Sequence, residues 1–170
     1  MLIILDRDGV INEDSPNYIK HPDEWHAIPG SLETIARWKQ QGHVVCVATN
    51  QSGIGRQYYD LKTLQLIHQK MHHALAALGA SLDGVFFCPH VDADQCPCRK
   101  PKPGLLFQAK QQFPSLWHDA VFIGDSTRDY EAAVAASCAF MLVGTGNGHQ
   151  SQSQLPHDVP FFNNLASVRL

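Results

Sequence analysis

No apolar run in this 170-residue sequence is long enough to cross a bilayer, which takes about 20 residues. The amino-terminal stretch MLIILDRDG offers four apolar residues after Met1 before Asp6 interrupts, too short for a secretory leader. The expectation is a cytoplasmic protein that makes no use of a membrane. A basic block is missing too. Thirteen lysines and arginines stand against 16 acids, a formal net charge of −3, which argues against a general nucleic-acid binder. The sequence also lacks a disulfide framework. Its 5 cysteines are an odd number, and three of them crowd into residues 88–98, whereas a secreted scaffold spreads an even set along the chain. Neither an internal repeat nor an interdomain linker is visible, and no apolar seam calls for a dimer. At 44% hydrophobic and 17% charged residues, the composition suits one folded domain over residues 1–170, acting as a monomer.

What is present is an alternation of short apolar runs with helical periodicity. LIIL (2–5), VVCVAT (44–49), GVFFC (84–88), AVFIGD (120–125) and AFMLV (139–143) read as buried strands. Between them, 31–42, 60–79, 104–113 and 129–137 read as helices, with Ser31 and Asp60 as N-caps and Gly42 and Gly79 as stops. Continuous apolar strands separated by helices predict an α/β fold, a single doubly wound parallel sheet with helices on both faces. Cys46 and Cys138 sit in apolar surroundings and read as small buried hydrophobes. The tail from Gly144 is rich in Gly, Gln, Ser and His and has no assigned place.

In such sheets ligands bind beyond the carboxyl ends of the strands. DRDG follows the first strand, TNQSG the second, CPH the third and GDSTRD the fourth, so acids, hydroxyls, amides and metal ligands share one edge. Asp6 and Asp8 are two residues apart, and in extended backbone their side chains would point the same way. Close carboxylates repel unless one is protonated or a cation sits between them. With Asp125 as a third oxygen donor, the set suits magnesium. The plainer reading of DRDG alone is a solvated turn with a capping aspartate.

Cys88-Pro-His90 and Cys96-Pro-Cys98 make a second donor set, joined by a five-residue loop. Three thiolates and one imidazole complete a tetrahedral zinc shell with no open position, which is structural rather than catalytic. The alternative is a group of free thiols. Arg99 and Lys100 follow the last ligand directly, and Pro101 and Pro103 stiffen what comes next, so a zinc-bound loop would aim these cations.

Together, Asp6 and Asp8, Thr49, Lys100, and Asp125 with Asp129 nearby resemble, in kind and in order along the chain, the haloacid dehalogenase-type phosphatases. The resemblance implies a Rossmann-like fold, here with no insertion after residue 14 long enough for a large cap domain. It implies Asp6 as nucleophile, Asp8 as acid–base, and Thr49 and Lys100 on the phosphate oxygens. Magnesium would be held by Asp6, Asp125 and the carbonyl of Asp8. LDRDGVIN, TNQSGIGR, CPHxxxxxCxCRKPxPG and GDSxRD narrow it to a branch acting on small phosphorylated metabolites, sugar bisphosphates or histidinol phosphate. By the same resemblance Asp14, Tyr18, Asn50, Gln51, Ser52 and Arg99 contact the phosphorylated sugar. Arg56, with Arg99, is a candidate cation for a second phosphate. Some members of the branch carry lysine where this chain has Ser126. A zinc-stabilised binding module without chemistry is the competing class. His68 and His72 share a helix face at i, i+4 but have no acidic or cysteine partner, so they read as surface or partly buried histidines.

Overall fold

The apolar runs become strands β1 (Leu2–Leu5), β2 (Val44–Asn50), β3 (Gly84–Cys88), β4 (Ala120–Gly124) and β5 (Ala139–Val143) in the computed structural model, which describes residues 1–170. A short β6 (Phe161–Phe162) extends the sheet, in the order β3-β2-β1-β4-β5-β6, with every pair parallel. Buried on both faces, β1 shows the pleat directly. Ile3 and Leu5 join one core with Val45, Val47, Ile35, Trp38, Ile67 and Met71, while Leu2 and Ile4 join the other with Cys46, Ala48, Leu105, Leu106 and Ala133. The first core is roofed by helices α1 (Ser31–Gln40) and α2 (Leu61–Ala76), the second by α3 (Gly104–Gln112) and α4 (Thr127–Ala136). Helices on both faces of one parallel sheet are what the alternation predicts.

The helix starts follow their caps. Asp60 accepts the Thr63 N–H at 2.8 Å, as its position suggests. Ser31 is not a cap: Gly30 takes that place with a φ of 83°, and the Ser31 hydroxyl instead donates to the Ile11 carbonyl at 2.7 Å. This buried bond ties α1 to the chain leaving β1. Helix α4 begins two residues earlier than its apolar pattern indicates, because Ser126 and Asp129 cap each other reciprocally.

The strand order reverses between β1 and β4, which opens a crevice at their carboxyl ends. Between β1 and α1 the chain forms only a single 3-10 turn, Pro22–Glu24, so nothing large covers that crevice. The tail is more ordered than its composition suggests. It forms α5 (Gly148–Gln152) and β6, and it returns past the open end of β4 on the way. No helix is long and apolar enough to cross a membrane.

Candidate active site

The first strand stops at Leu5, and the chain turns at once: the Arg7 carbonyl accepts from the N–H groups of Val10, Ile11 and Asn12, and Gly9 takes a φ of 82°. Asp6 and Asp8 therefore reach one pocket through a turn and not through strand pleating, which corrects the expectation from an extended DRD. The two carboxylates also have different surroundings. Asp6, with Asp125 and Asp129, forms a group whose oxygens lie within 4.8 Å of one another. Asp8 is not part of that group and is bound to Arg7.

Lys100 enters the acid group as its cation. Its ammonium is 3.0 Å from Asp6 and 2.7 Å from Asp129, donates to the Ala48 carbonyl at 2.9 Å, and is 2% exposed. Burial works against its charge, but Asp129 and Asp6 outweigh that and hold the lysine charged, above its ordinary pKa. The side-chain amide of Asn50 grips the same residue by its backbone, donating to the Lys100 carbonyl and accepting its N–H, both at 3.0 Å. Asn50 lines the pocket, yet its polar atoms are spent on Lys100.

Asp125 sits against two glycines. A Cβ at either Gly9 or Gly146 would overlap its carboxylate, and both glycines have positive φ. Asn147 donates to the same carboxylate, from its backbone at 2.8 Å and its amide at 3.2 Å. The Thr145 hydroxyl pins the tail to the Gly9 carbonyl at 2.6 Å. Burial, with the charges of Asp129 and Asp6 added, pushes Asp125 up to about 8. Burial likewise dominates at Asp6, where Lys100 opposes it and Asp129 and Asp8 add to it, giving about 7. Two buried carboxylates that resist ionisation, three oxygen donors within reach and a crevice open to phosphate all fit a magnesium ion.

Asp8 has a different balance. Burial would raise it, but the Arg7 guanidinium with hydrogen bonds from Asn12 and Gln51 holds it below the usual carboxylate range. One oxygen accepts from Arg7 Nε at 3.0 Å, Arg7 Nη2 at 2.8 Å and Asn12 at 2.9 Å; the other accepts from Arg7 Nη2 at 3.0 Å and Gln51 at 2.9 Å. Gln51 also donates to the Thr49 hydroxyl at 3.0 Å and accepts from Tyr59 at 2.6 Å. Arg7 is wholly buried, and its remaining nitrogen meets His68 Nε2 at 3.2 Å. Of the two placements expected, surface or partly buried, His68 takes the second and goes further, as a buried partner of Arg7; burial and the adjacent guanidinium push it down to about 3, so it stays neutral.

In the loop after β3, the Cys88 sulfur lies 3.4 Å from His90 Nδ1, 3.5 Å from the Cys96 sulfur and 3.1 Å from that of Cys98. Cys98 is 3.4 Å from His90 and 3.5 Å from Cys96. A disulfide would need about 2.05 Å, whereas donor separations in a tetrahedral zinc shell are about 3.5–3.8 Å for zinc–ligand bonds of 2.0–2.3 Å. The separations of 3.1–3.5 Å are far longer than a disulfide and slightly tighter than a filled zinc shell, so the four donors fit zinc in type and are gathered close to its spacing.

The crevice encloses about 360 Å³ and is overwhelmingly polar. Asp14, Tyr18, Ser52 and Arg56 line it, as expected, and so do Thr49, Gln51, Arg99 and Lys100. Asp14 is raised by burial and accepts from Asn147 at 3.3 Å. Tyr18 has a φ of 65° and packs edge-on against Tyr58, with ring centres 5.1 Å apart. Arg99 donates to Asp92 at 2.6 Å, while its buried Nη1 has no partner. Four residues escape the motif reading. Asp129 drew notice only as a neighbour of Asp125, although its spacing of three from Ser126 is a capping signature. Arg7 lies inside DRDG, Arg128 inside the GDSTRD motif, and Asn147 follows the fifth strand in GTGNG, an edge segment left out of the strand-end survey.

Two predictions follow from these contacts. Asn50→Ala should lower kcat about tenfold or more, roughly 1.4 kcal/mol, with the fold kept, because Lys100 loses both backbone anchors; unchanged kcat would show that Lys100 needs no such hold. The second concerns pH. Asp6 and Asp125 have folded pKa values above their ordinary 3.8. Their protonated forms stabilise the fold fully below that value, and the contribution is lost as pH rises through about 7 and about 8. Magnesium relieves the ionised pair, so it should raise Tm more at pH 8 than at pH 6, by roughly 3 °C or more on differential scanning calorimetry. An equal rise at both pH values would contradict the assignment.

Comparison with known proteins agrees with this geometry. A haloacid dehalogenase-like hydrolase family model matches residues 5–137. The D-glycero-beta-D-manno-heptose-1,7-bisphosphate 7-phosphatase of Bordetella bronchiseptica is 48% identical over 169 residues, covering 98% of this chain and 94% of the relative. The protein of the same name from Pseudomonas aeruginosa is 48% identical over 168 residues, with the same coverage. Among solved structures, the B. bronchiseptica D,D-heptose 1,7-bisphosphate phosphatase, complexed with magnesium and phosphate, superposes with a TM-score of 0.94 over 98% of this chain and 94% of that one. The Burkholderia thailandensis enzyme, 40% identical, gives 0.75 over the same shares. On the family match, the near-full-length identity and the shared fold, this chain belongs to the haloacid dehalogenase-like hydrolases.

Proposed function

We propose that residues 1–170 form a single-domain, magnesium-dependent phosphatase that removes the 7-phosphate of D-glycero-D-manno-heptose 1,7-bisphosphate. The observation that carries this reading is the buried Lys100 ammonium between Asp6 and Asp129 at the floor of an open polar crevice. The names of the relatives supply the sugar. Beyond Lys100, three guanidinium groups border the crevice: Arg56, Arg99 and Arg128. An unpaired Arg99 nitrogen suits a second phosphate. Histidinol phosphate has one phosphate and a cationic amine, and would leave that charge unanswered. Asp14, Tyr18 and Ser52 would contact the sugar, while Asn50 and Gln51 act through the groups they hold.

In this reading Asp6 attacks phosphorus. One of its oxygens is fixed by the Arg7 N–H at 2.7 Å and by Lys100, leaving the other free to attack. The bond from phosphorus to the sugar C7 oxygen breaks, Asp8 gives that oxygen its proton, and an aspartyl-phosphate remains on Asp6. Asp8 then takes a proton from water, which attacks the acyl phosphate and releases inorganic phosphate. The resting charge balance favours the ionised Asp8 of the second step; the negative charge of an arriving phosphate raises its pKa toward the protonated form needed for the first. Thr49 and Lys100 bind the equatorial phosphate oxygens. Asp6, Asp125 and the Asp8 carbonyl would hold magnesium, which would supply the positive charge that lets a carboxylate approach a phosphate.

Zinc held by Cys88, His90, Cys96 and Cys98 would fix the loop that carries Arg99 and Lys100. The enzyme works as a cytoplasmic monomer on a small phosphorylated sugar, in the supply of nucleotide-activated heptose for lipopolysaccharide core.

Phosphate release should be measured with magnesium from both anomers of the heptose bisphosphate and from histidinol phosphate, with Asp6→Asn as blank. The expected result is a preference of about a hundredfold or more for the bisphosphate, about 2.7 kcal/mol in the transition state. Comparable turnover of histidinol phosphate would overturn the sugar assignment. Stripping zinc with a chelator should lower activity at least about tenfold while circular dichroism stays near native, because the loss falls on Lys100 positioning. Full activity in a folded, zinc-free protein would exclude the loop-fixing role.

A further inference from the structure

Asp8 is held by two arms, and each arm is itself held from behind. On one side Arg7 binds both Asp8 oxygens, and its Nη1 ends on His68 Nε2, on α2. On the other, Gln51 donates to Asp8 while its carbonyl end accepts from the Tyr59 hydroxyl. We infer that His68 and Tyr59 are positioning residues for the acid–base carboxylate, acting through Arg7 and Gln51. The inference rests on the reading of Asp8 as acid–base in the proposed mechanism.

The orientation of each arm depends on its outer partner. A glutamine amide can present either end toward Asp8, and only its nitrogen end can donate. A hydroxyl donating to the oxygen end, at 2.6 Å, selects the productive orientation. Tyr59 is seated for this: its ring packs directly on Gly53, where an added Cβ would overlap it and displace the ring. Arg7 is the largest fully buried side chain, and its guanidinium must satisfy its donors within the protein. His68 offers a lone pair at the one place Asp8 cannot reach. It meets Phe87 edge-to-face at 6.1 Å, which limits rotation of the imidazole. Because Nε2 accepts from Arg7, the ring proton belongs on Nδ1, a tautomer set by this contact. Neither His68 nor Tyr59 belongs to the metal-ligand groups; His68 does not line the crevice, and Tyr59 borders it with its hydroxyl committed to Gln51. The arrangement has the form of two braces converging on one carboxylate.

A double-mutant cycle tests this. His68→Leu, His68→Gln and Tyr59→Phe are each made in the native chain and in Asp8→Asn. Phosphate release is followed from the heptose bisphosphate and also from p-nitrophenyl phosphate, whose turnover does not depend on which sugar is the natural substrate. In the native background, His68→Leu and Tyr59→Phe should each lower kcat about five- to twentyfold at a KM within about twofold. His68→Gln, whose carbonyl accepts from Arg7, should recover to within about threefold of native. In the Asp8→Asn background the same losses should shrink below about twofold, since the carboxylate they position is gone. Equal losses in both backgrounds would overturn the inference, as would His68→Gln failing as badly as His68→Leu. If His68→Leu does not fold, Tyr59→Phe, which removes one oxygen from a half-buried ring, carries the test by itself. A native-like rate for Asp8→Asn would instead strike at the acid–base reading.

Discussion

Burying an ammonium group costs several kcal/mol unless it is paired, and burying carboxylates costs as much. The site of this protein resolves both costs at a single point, where Lys100 lies 3.0 Å from Asp6 and 2.7 Å from Asp129. The rest of the local structure can be understood as holding that lysine in register. Asn50, at the end of β2, clamps its backbone; the Ala48 carbonyl takes a further ammonium proton; and Phe122, on β4, lies 5.2 Å beneath the charge. Asp129 reaches it from α4 while its other oxygen accepts from the N–H groups of Asp125 and Ser126, both at 3.2 Å, and from the Ser126 hydroxyl at 2.7 Å. Strand, helix start and cation are locked by the same carboxylate. That also gives Ser126 a role: it caps α4 through Asp129 and so stands behind the acid group.

The crevice is bounded on opposite sides by two segments of different build. On one side is the cysteine–histidine loop, whose four gathered donors are of a type suited to zinc and whose last ligand precedes Arg99 and Lys100. On the other is the return of the tail, where Thr145, Gly146 and Asn147 close over Gly9 and Asp125. The first would be rigid through a metal, the second through close backbone approach that only glycine permits. Between them burial holds Asp6 and Asp125 protonated to unusually high pH, and the like charges of the acid group, which Lys100 only partly balances, add to it. A divalent cation fits the imbalance.

The sheet was legible in the sequence because its strands are buried on both faces and read as unbroken apolar runs, such as LIIL and VVCVAT. The site was legible because a parallel sheet sends every strand end to one edge. What stayed hidden depends on contacts between distant residues. His68 looks like one of several surface or partly buried histidines along α2, and only the turn at DRDG brings Arg7 to it. Asn50 looks like a substrate amide, and only the course of the loop after Cys98 presents it with the Lys100 backbone. The Asp6–Asp8 pair was correctly located for a reason that does not hold, since the strand ends at Leu5. Asn147 and β6 lie in a segment of weak periodicity, where tertiary contact with Asp125 and β5 outweighs local preference.

The most direct measurement is a crystal structure of this chain with magnesium and beryllium fluoride, a mimic of a phosphoryl group bound to aspartate. The account predicts beryllium attached to Asp6, Lys100 Nζ within about 3 Å of a fluorine while still paired with Asp129, and magnesium among its proposed ligands Asp6 and Asp125. Beryllium on Asp8, or a Lys100 that stays bound to the carboxylates and touches no fluorine, would contradict it.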